Sequence, residues 1–190
     1  MTLAGDSDEG LVARYARGDA AAFEVLYRRH EMRVWRYLER NIGNRATADE
    51  LMQEVWFAVA REAVRYERTA KFTTWLFTIA HHRMIDAMRR KRRETSLEAI
   101  DHEGAAVVEQ LTAEPAAGPL AAAMADDQAA ALLRAVEALP SEQRAAFLLQ
   151  VEGDLNIEEI ARITGSSFET TKSRLRYARA KLRERLQEHA

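Results

Sequence analysis

Two adjoining segments between residues 47 and 93 carry apolar side chains at three- and four-residue spacing, and only an amphipathic helix gathers such residues on one face. In the first, TADELMQEVWFAVA, the residues Ala48, Leu51, Met52, Val55, Trp56 and Val59 form one stripe directed at a core. Asp49, Glu50, Gln53 and Glu54 fall on the opposite side, and Phe57 lands among them. A large apolar ring set in an acidic face is the composition of a protein-binding patch. The second segment, KFTTWLFTIAHHRMIDAMRRKRR, turns Leu76, Ala80, Met84 and Ala87 inward and ends in a cationic cluster suited to phosphates. Trp75, His82, Arg89 and Arg93 share another stripe of it. An aromatic beside cations suits unpaired bases, where stacking adds ~1–3 kcal/mol per base. Trp75 alone fits a second role equally well, as a plug at the domain edge.

The average charge hides this segregation. The chain has 190 residues and a formal net charge of −2, which on its own argues against nucleic-acid binding. Yet residues 94–131 contain no Lys or Arg, whereas 83–93 and 172–185 are strongly basic. Such separation points to distinct surfaces for distinct partners. Without cysteine there is no disulfide, thiolate metal site or cysteine nucleophile. The acidic start, MTLAGDSDEG, lacks the apolar run of a signal peptide, and no segment approaches the ~20 apolar residues that span a bilayer. A soluble cytoplasmic protein is expected.

Ala, Leu, Glu and Arg dominate and no alternating strand pattern occurs, so the expected fold is all-α: two small helical domains joined by a flexible acidic linker. The first domain covers 1–94. A helix over 8–17 closes at Gly18, Asp19 is placed to cap the next, and Phe23, Leu26, Tyr27, Val34 and Leu38 are its apolar positions. Gly43-Asn44 breaks that helix, and Thr47 with Glu50 has the form of a capping box. A loop over 66–72 precedes a long helix starting at Thr73 or Thr74. Residues 95–125, rich in Ala and acid with Pro115, Gly118 and Pro119, have linker composition.

The second domain covers 126–190. Pro140-Ser141-Glu142 opens a helix that ends at Gly153, Asn156 through Glu159 open a short one, Gly165 makes the turn, and Ser167 caps a final helix. A short helix, a glycine turn and a second helix make a helix-turn-helix, with Ile157, Ile160, Ala161 and Ile163 as its core. The final helix has an apolar stripe of Leu175, Ala178, Leu182 and Leu186, and a second side bearing Lys172, Arg176, Arg179 and Arg183. Its start, Phe168, Glu169, Thr170 and Lys172, lies where such helices meet base edges in the major groove. A solvated basic face is the plain alternative, and the preceding short helix and glycine turn favour DNA.

His81, His82 and Asp86 match the HHxxxD signature of acyltransferases, but those enzymes are larger and contain β-structure. On a continuous helix the two histidines point about 100° apart, which rules out both that dyad and a metal site. No cluster offers a nucleophile with its base or a phosphate-cradling glycine loop, so neither an enzyme nor a cofactor is expected.

RYARGDAAAFEVLYRRH, ADELMQEVW, FTTWLFTIAHHRMIDAMRRKRR and LNIEEIARITGSSFETTKSRLRYARAKLRERL, in that order, resemble bacterial sigma factors of the sigma-70 family, in the small two-domain extracytoplasmic-function group. The resemblance implies a chain that gives core RNA polymerase its promoter specificity. Asp49, Glu50, Gln53, Glu54 and Phe57 would then dock on the clamp helices of the largest polymerase subunit, and the second domain would meet the flap region. Tyr66, Arg68, Thr69, Lys71 and Phe72, in the loop, would capture a flipped base of the minus-ten element. Trp75, Arg83, Arg89, Arg90 and Arg93 would hold the adjoining strand and duplex. Ser167, Phe168, Glu169, Thr170, Lys172, Ser173, Arg174, Arg176 and Arg179 would read the minus-thirty-five element, and the acidic linker would thread the RNA-exit region. An anti-sigma partner is the group's common restraint. The chain departs from the group at Thr47, often Asp, at Ser166-Ser167, usually an apolar-Pro pair, and at Glu169 and Thr171, usually Gly and Val. Glu169 can accept from a cytosine amino group, so a C-containing upstream motif is expected. The competing reading is a stand-alone helix-turn-helix regulator, which needs neither the acidic 49–54 face nor the aromatic 66–75 region.

Overall fold

The computed structural model describes residues 5–67, 69–101 and 120–187, with side chains over 5–67, 69–93 and 129–187. All regular structure among them is helical. α1 (Asp8–Tyr15), α2 (Ala20–Ile42), α3 (Arg45–Glu62), a 3₁₀ turn (Ala63–Arg65) and α4 (Phe72–Asp101) form the N-terminal group. α5 (Leu120–Glu137), α6 (Ser141–Gly153), α7 (Ile157–Thr164) and α8 (Phe168–Gln187) form the C-terminal one.

Helix ends follow from local chemistry. Gly43 stops α2 in the left-handed region at φ 67°, and Asn44 begins α3 by accepting the Thr47 amide at 2.9 Å. The capping box expected at Thr47 is therefore not formed. Thr47 lies one turn inside the helix, its hydroxyl bonded to Asn44 Oδ1, because an Asn just after a Gly stop offers the earlier cap. Asp19 precedes α2 but makes no side-chain cap, since its carboxylate is held by Arg14 at 2.7 Å. α4 begins at Phe72 and runs past the expected boundary to Asp101, through residues with no Gly or Pro to stop it. α5 starts at Leu120, ahead of the expected 126. The central part of the expected linker lies outside the described residues.

The α3 stripe read from the sequence is the buried one: Ala48, Leu51, Met52, Val55, Trp56 and Val59 are all inside. They pack on α2 through Leu26, Val34 and Leu38 and on α4 through Leu76, Ala80 and Met84. Against the far side of α2 and α4 sit α6 and α7. Glu152 of α6, only 4% exposed, accepts from Arg36 (2.9 Å) and Arg40 (2.8 Å) of α2. Thr74 of α4 donates to Glu159 of α7 at 2.8 Å, and Arg144 donates to the Asn41 carbonyl at 3.1 Å. At Gly153 an added Cβ would come within 2.8 Å of Leu155 Cγ and 3.4 Å of Phe77, so the glycine lets α6 approach α4 closely.

Candidate nucleic-acid and partner interfaces

Three surfaces collect the residues singled out above. On α3, Asp49, Glu50, Gln53, Glu54 and Phe57 are all exposed on the face away from the core. Phe57 is 72% exposed, which leaves a whole ring to water amid carboxylates. Asp49 is held in place by Trp35, whose Nε1 donates to Oδ1 at 2.7 Å, while Arg45 lies over the same indole at 5.7 Å. A ring on another helix, 14 residues away in the chain, gives no sequence signal for this support. Glu54, Phe57 and Arg61 line a shallow cleft of about 180 Å³ together with Arg83 of α4.

Arg83 thus lies beside the acidic α3 face rather than with Trp75. Arg90 follows it, its Nη2 4.0 Å from Glu54 Oε1. Arg89 and Arg93, both exposed, continue the stripe that starts at Trp75. The four arginines assigned together therefore divide over two sides of α4, as their helical phase requires.

The second surface is the 66–72 loop and the start of α4. Tyr66 donates its hydroxyl to the Ala70 carbonyl at 2.7 Å and closes the loop on itself. Its ring lies 5.0 Å from that of Trp75. Both are half-buried and line a cleft of about 370 Å³, which Thr69 and Arg65 share and Arg162 and Ile163 of α7 border. Trp75 packs one side on the core and lines the cleft with the other. Phe72, placed in the loop's recognition set, is fully buried beneath them with its ring 5.9 Å from Trp75, so it supports the surface rather than forming it. Thr69 and Lys71 are exposed, and Arg68 lies outside the described residues.

The third surface is α8. α7 begins with a complete capping box between Asn156 and Glu159, and Gly165 turns the chain at φ 62°. Ser167 Oγ accepts the Thr170 amide at 3.1 Å, which starts α8 as expected. Phe168, Glu169, Thr170, Lys172, Arg176 and Arg179 are exposed along it, with Ser173 and Arg174 half-buried. Arg174 bonds Glu142, Arg179 donates to Gln150 at 2.6 Å, and Arg176 lies 4.9 Å over the Tyr177 ring. Two of the departures prove to be one feature: Thr171 is fully buried and its hydroxyl bonds Ser166 Oγ at 2.7 Å. A buried hydroxyl is tolerable only with a partner, and Ser166 supplies it.

His81 and His82 do not act together. His81 is buried with Nδ1 2.7 Å from the Tyr37 hydroxyl, while His82 is exposed. Among the described residues no group of acids and histidines is arranged to hold a metal.

The comparisons agree with this geometry. The family model for Sigma-70 region 2 matches residues 26–94 and that for Sigma-70, region 4 matches 129–182. RNA polymerase sigma factor CarQ of Myxococcus xanthus is 35% identical over 92% of this chain and 95% of its own. ECF RNA polymerase sigma factor SigE of Mycolicibacterium smegmatis is 33% identical over 97% of this chain and 70% of its own. Among solved structures, the sigma factor RpoE in complex with the anti-sigma factor NepR, from Bartonella quintana, shares the fold at TM-score 0.68 and 24% identity, covering 87% of this chain and 96% of that one. CnrH, solved in complex with the cytosolic domain of CnrY, shares it at TM-score 0.65 and 22% identity over 97% and 100% of the two chains. This chain belongs to the extracytoplasmic-function group of the sigma-70 family, the RNA polymerase sigma factors that direct promoter-specific initiation.

Proposed function

We propose that this sigma factor divides its work among the three surfaces as follows. Residues 1–94 form a region 2-like domain whose α3 face, with Asp49, Glu50, Gln53, Glu54 and Phe57, docks on the clamp helices of core polymerase. Arg83 and Arg90, at the edge of that face, frame the same contact. The Tyr66–Trp75 pair receives the unpaired minus-ten strand, helped by Arg68, Thr69, Lys71, Arg89 and Arg93. Residues 126–190 form a region 4-like domain, and α8 enters the major groove at the minus-thirty-five element, with Glu169 and Lys172 at base edges and Arg176 and Arg179 on phosphates. The chain itself makes and breaks no bond; it positions DNA for the polymerase, in the cytoplasm, where polymerase and promoter are. No helix among the described residues is long and apolar enough to cross a membrane. An anti-sigma protein is the expected restraint, a reading supported by the sigma factor RpoE, which shares this fold and was solved in complex with the anti-sigma factor NepR.

The observation that carries this reading is Phe57, an aromatic ring 72% exposed in an acidic row on an otherwise well-packed helix. The test is charge reversal. Glu50 and Glu54 are exposed, so Glu50→Lys with Glu54→Lys leaves helix content unchanged by circular dichroism and abolishes co-elution with core polymerase. Co-elution retained by the folded double variant places the docking face elsewhere.

A further inference from the structure

The junction of the 66–72 loop with α4, which carries Tyr66 and Trp75, is fastened from α1, ahead of the region 2 match over 26–94. The first amides of any helix lack intrahelical acceptors and are usually met by a Ser, Thr, Asp or Asn just ahead. Ahead of α4 stands Lys71, whose ammonium only donates. The acceptor comes instead from α1: the Phe72 amide donates to Glu9 Oε1 at 3.0 Å, across 63 residues. A carboxylate there also meets the positive end of the α4 dipole.

Glu9 is itself held. Ser7 caps α1 by accepting the Gly10 amide at 3.2 Å, which sets Asp8 and Glu9 in the first turn. Asp8 accepts from Arg29 at 2.7 Å and lies 2.7 Å from His30 Nε2. Burial raises the Asp8 pKa, but the bonds from His30 and Arg29 outweigh it and hold the carboxyl below its ordinary value. The His30 ring lies 5.4 Å from that of Phe72, and Phe72 lies against both Tyr66 and Trp75. A carboxylate on α1, a ring on α2 and the first residue of α4 thus converge beneath the aromatic pair.

We propose that Glu9 is a positioning residue for strand capture: it caps α4 from α1 and fixes how Tyr66 and Trp75 present themselves to unpaired bases. The inference rests on reading that pair as the minus-ten surface. Glu9 also lies ahead of the 26–94 region 2 match, so its role is not part of what that match describes.

The test uses full-length chains bound to core polymerase and a fluorescent single strand taken from the non-template side of a promoter that the native holoenzyme transcribes. Glu9→Ala weakens strand binding about tenfold, the loss expected of a missing helix cap of ordinary strength. It also speeds hydrogen exchange at the Phe72 amide and leaves core affinity and duplex binding at the upstream element within about twofold, a far smaller change. Glu9→Gln, which keeps a carbonyl acceptor, restores most of the strand binding. Native strand affinity in Glu9→Ala, with Trp75→Ala impaired, overturns the brace and leaves the minus-ten surface standing. Native affinity in both variants removes that surface and the brace with it. Loss of helix content or core binding in Glu9→Ala that Gln fails to restore makes Glu9 merely structural and also overturns the proposal.

Discussion

His81 shows how one buried residue ties this fold to pH. Burial, with His82 adjacent, lowers its pKa from 6.5 to about 4. The unfolded chain therefore takes up a proton on this side chain near pH 6.5, whereas the folded chain resists until about 4. Below 6.5 the unfolded state binds more protons, so stability falls as pH drops, by about 3 kcal/mol at full extent, and this contribution levels off below 4. Urea midpoints measured across that window should decline for the native chain. In His81→Gln the decline should be shallower, on a lower baseline because the Tyr37 hydroxyl loses its ring partner. An unchanged pH profile in the variant would show that His81 is not the group responsible. The same residue marks a limit of reading side chains from sequence. Its helical phase excluded a histidine dyad with His82, but the hydrogen bond to Tyr37 joins positions 44 apart and leaves no local trace. Phe57 is the opposite case, because periodicity alone placed it on the wet face of α3 and that is where it lies.

At the scale of elements, the legible features were those set by neighbours in the chain. The α3 stripe, the Gly43 and Gly165 stops, the Asn156 start and the Ser167 cap each depend on residues within one turn, and each formed. Misplaced features had two local candidates, such as Asn44 against Thr47, or a competing partner for the side chain, as when Arg14 claims Asp19. The α4 arginines, close in sequence, do not form one patch: the phase of the helix separates Arg83 and Arg90, beside Glu54, from Arg89 and Arg93. Contacts between α6–α7 and α2–α4 were not legible at all. Glu152 reads as an ordinary surface acid at the end of α6, yet Arg36 and Arg40 enclose it. With the Arg36 and Arg40 side chains 36% and 23% exposed, the pairs are part-screened, and Glu152→Ala should cost ~1–2 kcal/mol of packing between the helix groups. Small-angle scattering should show a larger radius of gyration at unchanged helix content. A variant as compact as the native chain would mean that Thr74–Glu159 and the Gly153 contact suffice without it.

For the whole molecule, composition misled and distribution informed. A net charge of −2 conceals an acidic face on α3, an aromatic pair where the 66–72 loop meets α4, and a basic face on α8. A stand-alone duplex regulator accounts for the last of these and leaves the exposed Phe57 and the Tyr66–Trp75 cleft without a purpose. The division proposed above gives each of the three a role. Transcription by purified core polymerase from a library of genomic fragments, with and without this chain, tests that division of labour. Discrete start sites should appear only with the chain, each preceded by two shared sequence blocks, and be lost when Trp75 is changed to Ala although the chain still co-elutes with core. No chain-dependent start sites, with duplex DNA bound by the chain alone, would contradict it.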